Sequence, residues 1–204
     1  PPLPLARLRA RDELVEIRAD ELRFTAEEAA TFLTELRRLP LLPADVALLT
    51  GRTEGWIAGL HLAALALHGR DDLSDAVAAF AGSNRYVMDY LAEEVLGAQP
   101  EATQAFLYRT AVLERLSAPL CAAVLDESAD ACQAMLEALD RDSLFLTPLD
   151  DERHWYRYHQ LFAEVLRQRL RRAKPGLAPL LHRRAAAWFE ARGMAAEAGR
   201  HALA

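Results

Sequence analysis

The sequence predicts a mostly α-helical chain. It reads as a helical domain, then a winged-helix domain of three helices, a β-hairpin and a helix, then the first helix pair of an α-solenoid. Three observations predict this. Ala (40) and Leu (36) make up more than a third of the 204 residues while aromatic residues are only 7%, a balance that favours helix over a β-sandwich, a collagen-like chain or a disordered tail. In most segments apolar residues recur at spacings of three and four between capping residues and breakers. One stretch, 144–158, instead surrounds an acidic turn with two short apolar and aromatic runs, the mark of a hairpin.

Residues 1–25 read as the only non-helical opening, because Leu14-Val15-Glu16-Ile17 and Leu22-Arg23-Phe24 alternate with the strand period. Thr25 followed by Glu28 is a capping box, and Ala29, Phe32, Leu33 and Leu36 follow at helical spacing. Leu39-Pro40-Leu41-Leu42-Pro43 stops that helix, and Pro43 suits the first turn of the next, which carries Val46, Leu48 and Leu49. Thr53-Glu54-Gly55-Trp56 opens the most apolar helix, running to about residue 67, with Gly69 as its C-terminal cap. A short helix over 73–80 follows. Gly82-Ser83 breaks it, and Ser83 is the expected N-cap of a helix carrying Tyr86, Val87, Tyr90, Leu91 and Val95. The helical domain spans 26–98 on this reading.

The winged-helix domain spans 99–174. Its helices are expected at about 101–113 (Phe106, Leu107 and Val112 inward), after Ser117 with Pro119 in the first turn, and after Ser128 with Met135, Leu136 and Leu139 inward. The hairpin then pairs 144–149 with 154–158 across Asp150-Asp151-Glu152, and His159 begins a helix to about residue 172. Lys174-Pro175-Gly176 marks the next boundary. Over 175–204 two short helices are split by Arg192-Gly193, the size of one solenoid unit, which cannot bury both faces alone. That, and an opening Pro-Pro-Leu-Pro without an initiating Met, reads as an internal fragment of a larger protein.

The chemistry is defined as much by what is missing. A net charge of −6 argues against nucleic acid. Between Asp126 and Glu152 nine acidic residues face Arg141 alone, so the expected recognition helix and wing would repel phosphates. The run Arg167, Arg169, Arg171, Arg172 is explained as cations opposing a helix macrodipole. No apolar run reaches the roughly 18–20 residues of a membrane span, and no signal peptide opens the chain; a soluble, cytoplasmic chain without a membrane partner is expected. No GxxxxGK[ST] loop occurs, and the only lysine is Lys174. His154 and His159 are not spaced as metal ligands, and Cys121 and Cys132 read as small core hydrophobes. No catalytic or metal residue is assigned, and the chain by itself is not expected to be an enzyme. His159 stands apart, at a junction of strand and helix. It reads either as a donor near an anion favoured by helix N-terminal amides, or as a core histidine bonded to a backbone carbonyl.

Several runs together resemble one family. Leu22-Arg23-Phe24-Thr25, Thr53-Glu54-Gly55-Trp56-Ile57, Phe106-Leu107-Tyr108-Arg109-Thr110, Trp155-Tyr156-Arg157-Tyr158-His159 and Leu181-His182-Arg183-Arg184-Ala185 are similar to the large LuxR-type transcriptional regulators of the MalT type, and the resemblance covers essentially the whole chain. These belong to the STAND class of signal-transduction ATPases. The resemblance implies an N-terminal P-loop NTPase domain of which 1–25 would be the end, a helical domain, a winged helix, a TPR-like solenoid that senses an inducer, and a C-terminal helix-turn-helix that alone contacts DNA. It implies a resting ADP-bound form, opened by inducer and ATP, that self-oligomerises when activated. Mg would bind in the NTPase domain of a parent that is a slow ATPase. Tyr158-His159-Gln160 falls where related STAND proteins carry Met-His-Asp, whose His approaches the β-phosphate of ADP; Gln160 replaces the Asp. Gly55-Trp56-Ile57 falls where they carry Gly-Leu-Pro near the adenine; Ile57 replaces the Pro, and Trp56 either stacks there or fills core. By resemblance, then, His159, Gly55, Trp56 and Ile57 are the ADP/ATP-binding residues. The alternative is a protein-interaction scaffold that no longer contacts nucleotide.

Overall fold

The computed structural model describes residues 4–15, 17, 21–70, 72–80 and 84–204, which are mostly helical with one small antiparallel hairpin. The opening departs from expectation. A short helix, α1 (Leu5–Arg9), starts behind Pro4, whose carbonyl accepts the amides of Arg7 and Leu8; Leu-Ala-Arg-Leu-Arg is a run of good helix formers. The alternation at 14–17 and 22–24 makes no strand among the described residues, and Glu16 lies outside them. A strand needs a neighbouring ladder, and Val15, Ile17 and Leu22 stand exposed instead.

From Thr25 the helical reading holds. The capping box is formed: the Glu28 amide donates to Thr25 Oγ1 and the Thr25 amide to the Glu28 carboxylate. The helix α2 (Ala26–Ala30) continues through a π-helical turn over Thr31–Leu36. A second such turn, Leu91–Leu96, continues α6 (Arg85–Tyr90); spacings of three and four do not reveal these wider turns. Pro43 opens α3 (Pro43–Thr53), and α4 (Ile57–Leu67) is apolar on nearly every side and buried through Leu60, Ala63 and Leu67. The carbonyls at the end of α5 (Leu73–Ala79) accept from the Arg52 guanidinium. The expected cap Ser83 lies outside the described residues; Asn84 caps α6, accepting from the Tyr86 amide.

The next elements keep the winged-helix order: α7 (Glu101–Thr110), α8 (Ala118–Leu125), α9 (Ala129–Arg141), β1 (Leu146–Pro148), β2 (Tyr156–Tyr158) and α10 (Gln160–Ala173). In the hairpin Leu146 lies opposite Tyr158 and Pro148 opposite Tyr156. The Asp150 carboxylate closes its turn by accepting the amides of His154 and Trp155. Leu116 bonds to Tyr156 on the other side of β2, through both backbone groups. Cys121 and Cys132 are buried free thiols, and burial pushes both thiol pKa values up, as befits core hydrophobes.

In the last pair, α11 (Leu177–Glu190) packs on α8, and α12 (Ala195–Ala202) packs on α11. The pair is tied to the hairpin by aromatic contacts. The Arg115 guanidinium lies 4.5 Å over the Trp155 ring, Trp155 meets Trp188 edge to face, and Arg115 also donates to Glu197. One apolar core runs from Ala29 in α2 to Phe189 in α11. No helix among the described residues is long and apolar enough to cross a membrane.

Candidate functional site

Three residues, 54–56, join α3 to α4. Two of them are left-handed in succession, Glu54 at φ 50° and Gly55 at φ 70°. At Gly55 a side chain would be doubly opposed: its Cβ would lie 2.6 Å from the Phe24 carbonyl oxygen, in a backbone region that L-residues avoid. The Phe24 amide in turn donates to the Gly55 carbonyl at 2.8 Å. Gly55→Ala is therefore expected to destabilise the chain by about 2 kcal/mol, from the sum of strain and crowding. Urea denaturation checks this; a loss within ±0.5 kcal/mol, the range of neutral surface changes, would refute the packing account.

This turn aims the Glu54 carboxylate at the hairpin. Arg157, from β2, donates to both of its oxygens at 2.7 Å, a bidentate pair. Arg23 donates to Oε2 and to the Glu54 carbonyl, each at 3.1 Å. The Gln160 amide, first in α10, donates to Oε1 at 2.9 Å. Burial would raise this carboxyl, but hydrogen bonds from Arg157, the Gln160 amide and Arg23 outweigh it and hold the pKa at about 2, against an ordinary 4.5. The anion at the N-terminus of α10 is thus supplied by the chain itself.

His159 is the N-cap residue of α10 and is only 4% exposed. Its Nε2 lies 2.8 Å from the Thr53 carbonyl oxygen, and its amide donates to the Phe145 carbonyl. A carbonyl only accepts, so Nε2 carries the proton. Nδ1 is then bare, buried, and without a hydrogen-bond partner. Burial lowers the pKa of the ring, which favours this neutral form. Around it the Trp56 ring lies 5.9 Å from His159, 5.0 Å from Phe145 and 5.8 Å from Tyr90, centroid to centroid.

The structure therefore brings His159, Gly55 and Trp56 together where the α3–α4 turn meets the hairpin. Ile57, the first residue of α4, stands beside them and is exposed. Of the two readings of His159, the bond to a backbone carbonyl is present. Sequence reasoning missed Glu54, Arg23 and Arg157. The one available signal was an acid directly before a glycine at a helix break, with arginines in two alternating segments. No group of three or more His, Cys, Asp or Glu among the described residues is arranged to hold a metal ion.

Known proteins are similar to this sequence over 99% or more of its length. Residues 92–178 match the family model of the MalT winged helix domain. The serine/threonine-protein kinase PknK of Mycobacterium tuberculosis is 40% identical over 99% of this chain and 18% of its own length. The HTH-type transcriptional regulator MalT of Klebsiella pneumoniae is 36% identical over 100% of this chain and 23% of its own. That of Serratia proteamaculans is 38% identical with the same shares. The chain spans about a fifth of the length of the curated relatives it matches.

Proposed function

We propose, because the chain is a MalT-like segment whose residues 92–178 form a MalT-type winged-helix domain, that it is the regulatory part of an ATP/ADP-switched, inducer-dependent transcriptional activator in the cytoplasm. In this reading the helical and winged-helix domains close over a nucleotide and hold the resting, ADP-bound state. A neighbouring NTPase domain binds most of the nucleotide with its Mg, a TPR-like solenoid begins with α11 and α12, and DNA is contacted only by a C-terminal helix-turn-helix.

The observation that carries the reading is the buried, unpartnered Nδ1 of His159 at the joint of the two domains. A buried polar atom without a partner is costly, and it is a place where a phosphate oxygen would be welcome. With Nε2 held by the Thr53 carbonyl, a second proton on Nδ1 makes that atom a donor. Gly55, Trp56 and Ile57 lie beside it. The nucleotide would supply the phosphate charge that favours that proton. Contacts of this size bias a two-state equilibrium by about 1–3 kcal/mol. His159→Ala in the full-length protein is expected to weaken ADP binding about tenfold, within the range of such couplings, and to raise transcription without inducer. Calorimetry with ADP and a reporter assay check it; unchanged ADP affinity and unchanged inducer dependence would sink the reading.

A second reading, a protein-interaction scaffold without nucleotide, is favoured by a different observation. Two polar groups of the joint, other than Nδ1, are already met internally, His159 Nε2 by the Thr53 carbonyl and the first amide of α10 by Glu54. Under this reading His159→Ala lowers stability and leaves ADP binding where it was.

A further inference from the structure

The far end of α10 carries a second feature. That helix has 14 residues, so its two ends are about 20 Å apart and this feature is separate from the His159 joint. Here α6, α7, the last turns of α10 and the start of α11 enclose a cleft of about 780 Å³, within the size range of small-molecule sites. Its floor is apolar, with Met88, Tyr108, Leu170 and Leu177 contributing. Its rim is cationic. Arg85, Arg109, Arg169, Arg172 and Lys174 line it against only Asp89 and Glu101, in a chain whose net charge is −6.

Two of those cations are engaged. Arg109 donates to the Glu127 carboxylate and the Leu125 carbonyl, and Arg85 lies 4.0 Å from Asp89. Arg169, Arg172 and Lys174 have no ion pair among the described residues. Opposition to the α10 macrodipole accounts for cations in a last turn. It does not account for Arg85 on another helix, nor for the buried Leu170 and the half-buried Met88, Tyr108 and Leu177 that line the same cleft. An apolar floor with a few convergent charges of one sign is the pattern of a ligand site.

The geometry points to a binding site for a small amphiphilic organic anion, with its acidic head among Arg169, Arg172 and Lys174 and its apolar body on Met88, Tyr108, Leu170 and Leu177. Such a ligand would touch α6, the winged helix and α11 at once, and would fix their relative positions. The probe is 8-anilinonaphthalene-1-sulfonate, an aryl sulfonate whose fluorescence rises on leaving water, with the uncharged N-phenyl-1-naphthylamine as its control. The chain is expected to bind the sulfonate at one saturable site, and dodecanoate is expected to displace it. Reversing two charges, Arg169→Glu with Arg172→Glu, is expected to weaken the sulfonate about tenfold and to leave the uncharged probe within about threefold. Circular dichroism verifies the fold of the variant. If it does not fold, the same contrast is read on the unsubstituted chain, where added salt should weaken the sulfonate alone. Equal weakening of both probes, no weakening of the sulfonate, or unsaturable binding at many sites would each overturn the proposal.

Discussion

Glu54→Ala is expected to cost the chain about 3 kcal/mol of folding stability at neutral pH, the lower edge of what removing one partner of a buried ion pair costs. The lower edge applies because the Glu54 side chain is 12% exposed but Arg157 and Arg23 are about a third exposed, so water screens what the loss leaves behind. Alanine leaves two guanidinium groups and the Gln160 amide without their acceptor and keeps the left-handed backbone at position 54. Glu54→Gly loses the same acceptor but relieves a backbone strain of about 1 kcal/mol, so it should be the milder of the two. The pH dependence has a definite sign. Glu54 titrates at about 2 in the folded chain against an ordinary 4.5. Its contribution is complete above about pH 4.5 and disappears as pH falls towards 2. The stability gap between the unsubstituted chain and Glu54→Ala should therefore close over that window. His182 and His201, whose pKa values are lowered chiefly by burial, erode stability in both chains as pH falls below the ordinary 6.5 and largely cancel in the difference. Burial lowers His159 against an opposing pull from Glu54, so in Glu54→Ala it is lowered further and the gap should widen somewhat below pH 6.5 before it closes. Urea denaturation from pH 6.5 downward measures the gap, and a gap of constant size would refute the account.

What could be read in advance was what local chemistry decides. Thr25 and Glu28 announce a capping box because three residues suffice to make one. Pro43 announces a first turn, and the acidic 150–152 between apolar and aromatic runs announces a hairpin. Each is a short-range event. The strand period at 14–17 misled because alternation states which side chains share a face and says nothing about whether a neighbouring strand is present to bond. Ser83 and Asn84 are both competent caps, so only the backbone path decides between adjacent candidates. The joint itself is a long-range event. Glu54 and Arg157 are 103 residues apart in sequence, and nothing in either neighbourhood calls for the other. The significance of Glu54 comes from a left-handed turn that aims its carboxylate at β2 and at the first amide of α10. His159 stands out in the sequence by its place at a strand-to-helix junction, and it does lie between β2 and α10. The helix N-terminus did attract an anion, but the carboxylate came from the chain.

Trp56→Ala is expected to remove about 3 kcal/mol and to uncouple two parts of the chain; the figure is the low end for deleting a core aromatic, because Trp56 is only half-buried. The ring meets Tyr90 at the end of α6 on one side and Phe145 and His159 on the other. Beneath it Gly59 has no side chain to spare: a Cβ there would lie 2.7 Å from Trp56 Cε3. Phe145 then stacks on Phe162, a fully buried residue of α10. One side chain thus carries packing from α6, through the α3–α4 turn, into the winged-helix core. With one continuous core, unfolding of the unsubstituted chain should be a single transition seen alike by all probes. In Trp56→Ala the remaining tryptophans, Trp155 and Trp188, report only the hairpin and α11, while far-ultraviolet circular dichroism reports every helix. The helices α2 to α6 should then melt first, and the two signals should part. Trp56→Phe keeps an aromatic edge for its neighbours and should restore a single transition. A tryptophan kept solely to stack on a nucleotide would behave otherwise: its loss would leave stability untouched and the two signals superimposed, and that result would remove Trp56 from the joint.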